Sequence, residues 1–140
     1  MNTQEDRNIK LINKWCNAWE LPGGSYLDML NCYSKNLVSF AAIQNFYSVK
    51  PGQSRNHWEE AERKIEKQYK RRKMNITSII AKDNKAAIEG IAETEQHDGK
   101  QRKWNFAVFF VFDKETGLII RDHTYMPDTP NIKDLKQENI

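Results

Sequence analysis

The sequence predicts an α+β domain, helical in its first half and strand-rich in its second. Three observations carry this. Apolar residues first recur three or four apart, as Ile9, Ile12, Cys16 and Trp19, and later as Trp58, Ala61, Ile65 and Tyr69. From Met74 onward they come instead in short runs rich in β-branched and aromatic types: MNITSIIA, AAIEGIAETEQ, QRKWNFAVFFVF and LIIRDHTYM. Between those runs stand KDNK, HDGK and DKETG, and the Asp98-Gly99 pair is a hairpin signal.

The elements follow in order. Thr3 with Asp6 starts a first helix, which LPGG breaks after Trp19. Ser25 caps a second, YLDMLNCYSKN, with Tyr26, Met29, Leu30 and Tyr33 on its apolar side. LVSFAAIQNFYSV reads as a strand with an irregular middle, and KPGQSRN as a loop. A third helix begins near Trp58 and ends in KQYKRRK, where Lys and Arg complement the helix dipole and face solvent. Four hairpin-linked strands complete a single domain over residues 1–127, and DTPNIKDLKQENI, residues 128–140 after Pro127, is a polar tail.

Composition bounds the function. The chain has 140 residues, enough for one domain with a sizeable core. A formal net charge of +3, from 22 basic and 19 acidic residues, gives no general case for nucleic acid or for a membrane surface. Two cysteines, Cys16 and Cys32, without CxxC spacing, read as buried thiols rather than a disulfide framework or a zinc site. The three histidines, His57, His97 and His123, show no ligand spacing, so no metal is expected. MNTQEDRNIK lacks an apolar signal core, and a cytoplasmic protein is the expectation.

The turns give an expected register. A five-residue DKETG loop sets Phe112 opposite Leu118, Val108 beside Asp122 and Phe106 beside Thr124. A HDGK turn pairing Gln96 with Gln101 sets Glu89 beside Val108. With side chains alternating, one face then holds Glu89, Ile91, Trp104, Phe106, Val108, Phe110, Phe112, Ile120, Asp122, Thr124 and Met126. Two carboxylates among aromatics can divide acid and base roles, because their surroundings set their proton affinities apart.

This layout resembles the SnoaL-like branch of the nuclear transport factor 2 superfamily. The resemblance rests on INKWCNAW, YLDMLNCYSKN and the closing FVFDKETGLIIRDHTYMP, and spans about Asn8 to Pro127. It implies a cone: a curved antiparallel sheet wrapped around helices, with an inner cavity for an apolar small molecule and often a homodimer through the outer face of the sheet. Members include polyketide cyclases, ketosteroid isomerases, scytalone dehydratases, limonene epoxide hydrolases and non-catalytic binding proteins, and fold alone does not choose among them. Asp122 matches the acidic residue that the epoxide hydrolases carry in WRDYFD. Their Arg-x-Asp pair is replaced here by Glu89 and Ile91, and the acidic residue that many relatives carry after YS is Asn36.

The expected function is cofactor-independent acid–base chemistry on an apolar small molecule, as a lyase, isomerase, cyclase or hydrolase. Asp122 is its acid or base, Glu89 the partner, and His57, at the start of the third helix where the resemblance implies a gate to the pocket, a further catalytic candidate. Trp58, Trp104, Phe106, Val108, Phe110, Thr124 and Met126 are expected to line the pocket. The alternative is a non-catalytic ligand-binding or dimeric interaction domain, which the departures at Asn36 and Ile91 support.

Overall fold

A computed structural model describes residues 3–35, 38–42, 47–52 and 54–126. Asn36 and the tail expected at residues 128–140 lie outside them. The elements are α1 (Thr3–Trp19), α2 (Tyr26–Leu30), β1 (Ser39–Ala42), β2 (Tyr47–Val49), α3 (Arg55–Lys67), β3 (Tyr69–Lys82), β4 (Lys85–Gln96), β5 (Gln101–Phe112) and β6 (Ile119–Tyr125). The strands form one sheet in the order β2-β1-β6-β5-β4-β3. Every pairing is antiparallel except β1 with β6, which is parallel and sets Phe40 opposite Asp122. No helix among the described residues is long and apolar enough to cross a membrane.

The N-terminal half differs from expectation at three points. LVSFAAIQNFYSV is two short strands, β1 and β2, paired antiparallel with Phe40 opposite Val49. The second helix stops at Leu30, although Ser25 caps it as expected, its Oγ accepting from Asp28 N at 3.1 Å. The third helix starts at Arg55, and the basic run beyond Lys67 is not a solvated helix end. From Tyr69 onward it is the start of β3, and Arg72 is buried, its backbone bridged to Leu21 in both directions at 3.0 and 3.1 Å.

The helices fill the concave face of the sheet. Ile12, Trp15 and Cys16 of α1 and Leu30 of α2 pack with Ile88, Val108, Phe110 and Phe112, and Trp15 meets Phe110 edge-on at 5.3 Å. Each aliphatic side chain buried this fully contributes roughly 1.5–3 kcal/mol. The sheet curves where Phe106 folds over Gly90: a Cβ there would lie 2.6 Å from Phe106 Cζ and 2.7 Å from the Asn75 carbonyl oxygen. Only glycine allows that approach, and a break in the β3–β4 register follows at Ile76/Ser78. On the convex face Phe109 and Tyr125 are half-exposed and meet edge-on at 5.8 Å.

The register corrects one expected face. Gln96 N donates to Lys100 O at 2.8 Å, closing a three-residue loop with Gly99 at φ +91, so Gln101 pairs with Glu95 rather than Gln96. This one-residue slip sends Glu89 and Ile91 to the convex face and puts Ile88, Gly90 and Ala92 inside. At the DKETG turn Phe112 pairs with Ile119, and Ile120 is bulged out, so Phe110 rather than Val108 lies opposite Asp122. The difference is two residues, and Asp122 stays on the concave face. Ile120 is half-buried, and Ile119 takes its expected place in the core.

Both cysteines are free and buried, their thiols directed at the Met74 and Asp28 carbonyl oxygens. Burial pushes each up to about 11. Neither is expected to react with a disulfide reagent in the native protein at pH 8, whereas both should react in urea. Stoichiometric labelling without denaturant would contradict this.

Candidate functional site

The concave face, α1, α2 and α3 together line a partly open cavity of about 160 Å³. Trp104, Phe106 and Val108 of β5 line its sheet wall, with Asp122 and Thr124 of β6 and Met126 just beyond. The helices add Trp15, Trp19, Met29, Trp58 and Ile65. Of the expected pocket residues, Phe110 alone is not on the wall: it lies in the core, against Trp15 and Phe112. Glu89 is exposed on the convex face, away from the cavity, and is no partner of Asp122. His57 is exposed in the first turn of α3, while its neighbour Trp58 turns inward.

Asp122 is completely buried, and each of its oxygens accepts one hydroxyl hydrogen bond. Tyr33 OH donates to Oδ2 at 2.5 Å, and Thr124 Oγ1 donates to Oδ1 at 2.7 Å. Trp15 Nε1 donates in turn to the Tyr33 oxygen at 2.8 Å. The two hydroxyl donors favour its ionised form, and the Trp15 bond occupies the Tyr33 oxygen so that the Tyr33 proton is left for Asp122. Burial outweighs them and pushes the carboxyl up from an ordinary 3.8 to about 6. Tyr33, equally buried and beside that negative charge, is raised well above 10 and keeps its proton.

Neighbouring elements fix this arrangement. Tyr33 is held by a bridge to Ile119 and by Arg55, whose guanidinium donates to the Leu30, Tyr33 and Ser34 carbonyl oxygens at 2.8, 2.9 and 3.0 Å. The same guanidinium stands 5.6 Å from the Trp58 ring, and Trp58 lies edge-on to Tyr33 at 4.8 Å. Trp58 Nε1 is buried without a hydrogen-bond partner. At the other end of the cavity lies Arg72, only 2% exposed. Its Nε donates to Trp19 O at 2.8 Å, its guanidinium stands 4.7 Å from the Trp19 ring, and Glu66 is 3.7 Å away.

Sequence reasoning missed Tyr33 and Trp15 as site residues, although helical spacing already marked Tyr33 as inward. It missed Arg72 because nothing in KQYKRRK separates the buried arginine from its exposed neighbours. Asp122 was legible as a carboxylate among apolar residues.

No protein-family model and no curated protein matches the chain. Solved structures do. PrhC from Penicillium brasilianum superimposes with a TM-score of 0.73 at 13% identity, over 97% of this chain and 89% of that one. A protein from Jannaschia, provisionally named a SnoaL-like polyketide cyclase, gives 0.70 at 10% identity, over 90% and 89%. The fold is the α+β cone of SnoaL-like and NTF2-like proteins. A protein with a ketosteroid isomerase-like fold from Catenulispora acidiphila gives 0.65 at 11% identity, over 83% of this chain and 84% of that one. At such identities the likeness fixes the SnoaL-like cone and leaves its chemistry to the residues of the cavity.

Proposed function

We propose that the cavity is an acid–base site for a small, mostly apolar molecule, with Asp122 as the group that takes and returns a proton. The observation that carries this is a fully buried carboxylate on the wall of an aromatic cavity, raised to about 6 and held by Tyr33 and Thr124. With that value the carboxylate is about nine-tenths ionised at pH 7 and a stronger base than an ordinary aspartate. A cavity of roughly 150 Å³ holds one benzene ring, so the volume here favours a single-ring substrate over a polycyclic one. The solved relatives provisionally named polyketide cyclases fit an acid–base reading in kind.

A second reading, ligand binding without turnover, is favoured by one observation: both Asp122 oxygens already accept a hydrogen bond from the protein. A carboxylate has about four acceptor positions, so each oxygen keeps one for a substrate proton. The deciding experiment is a thermal-shift screen of small carbonyls, phenols and epoxides, followed by turnover assays on the compounds that bind. Under the first reading Asp122→Asn keeps binding and lowers turnover by about a hundredfold or more. Wild-type turnover then rises with pH, is half-maximal at about 6 and levels off above that as the base form fills. Ligands that bind both proteins alike and are converted by neither would establish the second reading.

A further inference from the structure

The cavity wall includes the cross-strand row of Met74, Ala92 and Trp104 and, beyond it, Arg72, beside which Thr94 and Arg102 stand outside the lining. The next inward-facing row along the same three strands, about 7 Å further on, is Arg72, Thr94 and Arg102. Each member of that row carries a buried polar atom with no hydrogen-bond partner: Arg72 Nη2, Thr94 Oγ1 and Arg102 Nε. Gln68 Nε2, at the end of α3 just before β3, is in the same condition. Arg72 is 2% and Thr94 1% exposed, so solvent does not serve them. Native interiors leave few polar groups unpaired, and three on a single row are a site in want of an acceptor.

The charges say which acceptor. Arg72 has Glu66 at 3.7 Å, and both Glu62 and Glu66 pull on its charge. Arg102 makes no ion pair among the described residues; its Nη1 donates, at an exposed position, to its neighbour's carbonyl, Gln101 O, at 3.0 Å. The row thus holds one uncompensated guanidinium, which matches a monoanion. A carboxylate can accept from two arginine nitrogens and a hydroxyl at once, as a hydroxyl or ether oxygen cannot.

We propose that Arg72, Thr94 and Arg102 form a carboxylate subsite of the cavity. The apolar body of the ligand lies along Trp104 and Met74, and its carboxylate accepts from Arg102 Nε, Arg72 Nη2 and the Thr94 hydroxyl. This rests on the reading of the cavity as a small-molecule site and names its ligand class: a single-ring carboxylic acid. From Trp58 to Ile65 the α3 wall rises about 10 Å, room for a ring and a short arm.

The test is calorimetric titration with 3-phenylpropionate and with 3-phenylpropan-1-ol, which differ only in the terminal group. The wild type should bind the acid at least about tenfold more tightly than the alcohol. Arg102→Met should abolish that preference and leave the alcohol's affinity as it was, and Thr94→Val should reduce the preference. Asp122→Asn should keep it, because that carboxylate lies at the other end of the cavity. Equal affinities in the wild type, or a preference that survives both Arg102→Met and Thr94→Val, would overturn the subsite while the cavity reading stands. Failure of both probes to bind would overturn both.

Discussion

Asp122→Asn is expected to melt at a higher temperature than the wild type at pH 7.5, by roughly 5–10 °C, and to lose most of that advantage at pH 4.5. Burial raises the Asp122 carboxyl from 3.8 to about 6, so the native state holds this proton more tightly than the unfolded chain does. Stability from this group is therefore fully present below about 3.8. It declines as pH rises from there to about 6, and above that it is lost. The whole effect is about 3 kcal/mol against the wild type at neutral pH. Asparagine removes the charge and keeps an oxygen for Tyr33 OH, while the Thr124 hydroxyl can turn to accept from the new amide. Differential scanning calorimetry of both proteins at the two pH values isolates the Asp122 contribution, since other groups titrate alike in both. A gap of the same size at pH 4.5 and 7.5 would show that the carboxyl is not raised. A fold that gives up stability to hold a neutral-range base is a common signature of a working site.

Arg72→Met is expected to cost about 3–5 kcal/mol, the range for removing one partner of a buried charged arrangement. The guanidinium ties three parts of the chain: Trp19 through its carbonyl and ring, Glu66 of α3 at 3.7 Å, and β3, on which it sits. Its burial pushes its proton affinity down, and the pull of Glu62 and then Glu66 opposes that. Methionine fills the space but removes the positive charge beside Glu62 and Glu66 and leaves the Trp19 carbonyl without this donor. Arg72→Lys should recover little, because a lysine cannot donate to Trp19 O and lie flat on its ring together. Urea unfolding measures both variants. A loss below about 1 kcal/mol for Arg72→Met would mean that the pairing barely outweighs the cost of burying it.

How far the sequence carried the site depended on the parity of small errors. A strand read one residue out of register turns every side chain over, whereas two residues leave the faces unchanged. At the HDGK turn the left-handed Gly99 shortens the loop by one residue, and Glu89 moved to the outside. At DKETG the turn closes one residue later than a five-residue loop allows, and the Ile120 bulge adds another. The two shifts sum to an even number, and Asp122 kept its face. Helical periodicity located α1 and α3 because their apolar stripes pack on the sheet. The join of α3 to β3 was hidden, since Gln68 separates them with neither glycine nor proline to mark the change. With that join misplaced, Arg72 and its row had no readable facing.

The Tyr33–Asp122 bond links residues 89 apart in the chain, and β1 completes its place in the sheet only by pairing with β6, the last strand. During synthesis at about 5–20 residues per second, roughly 4–18 s separate the appearance of Tyr33 from that of Asp122. Through that interval β3, β4 and β5 are made in turn, but Tyr33 lacks its carboxylate and β1 lacks the strand that joins it to them. The buried Tyr33–Asp122 pair and the join of β1 to the rest of the sheet therefore form only after the β5–β6 turn has been made, late in synthesis.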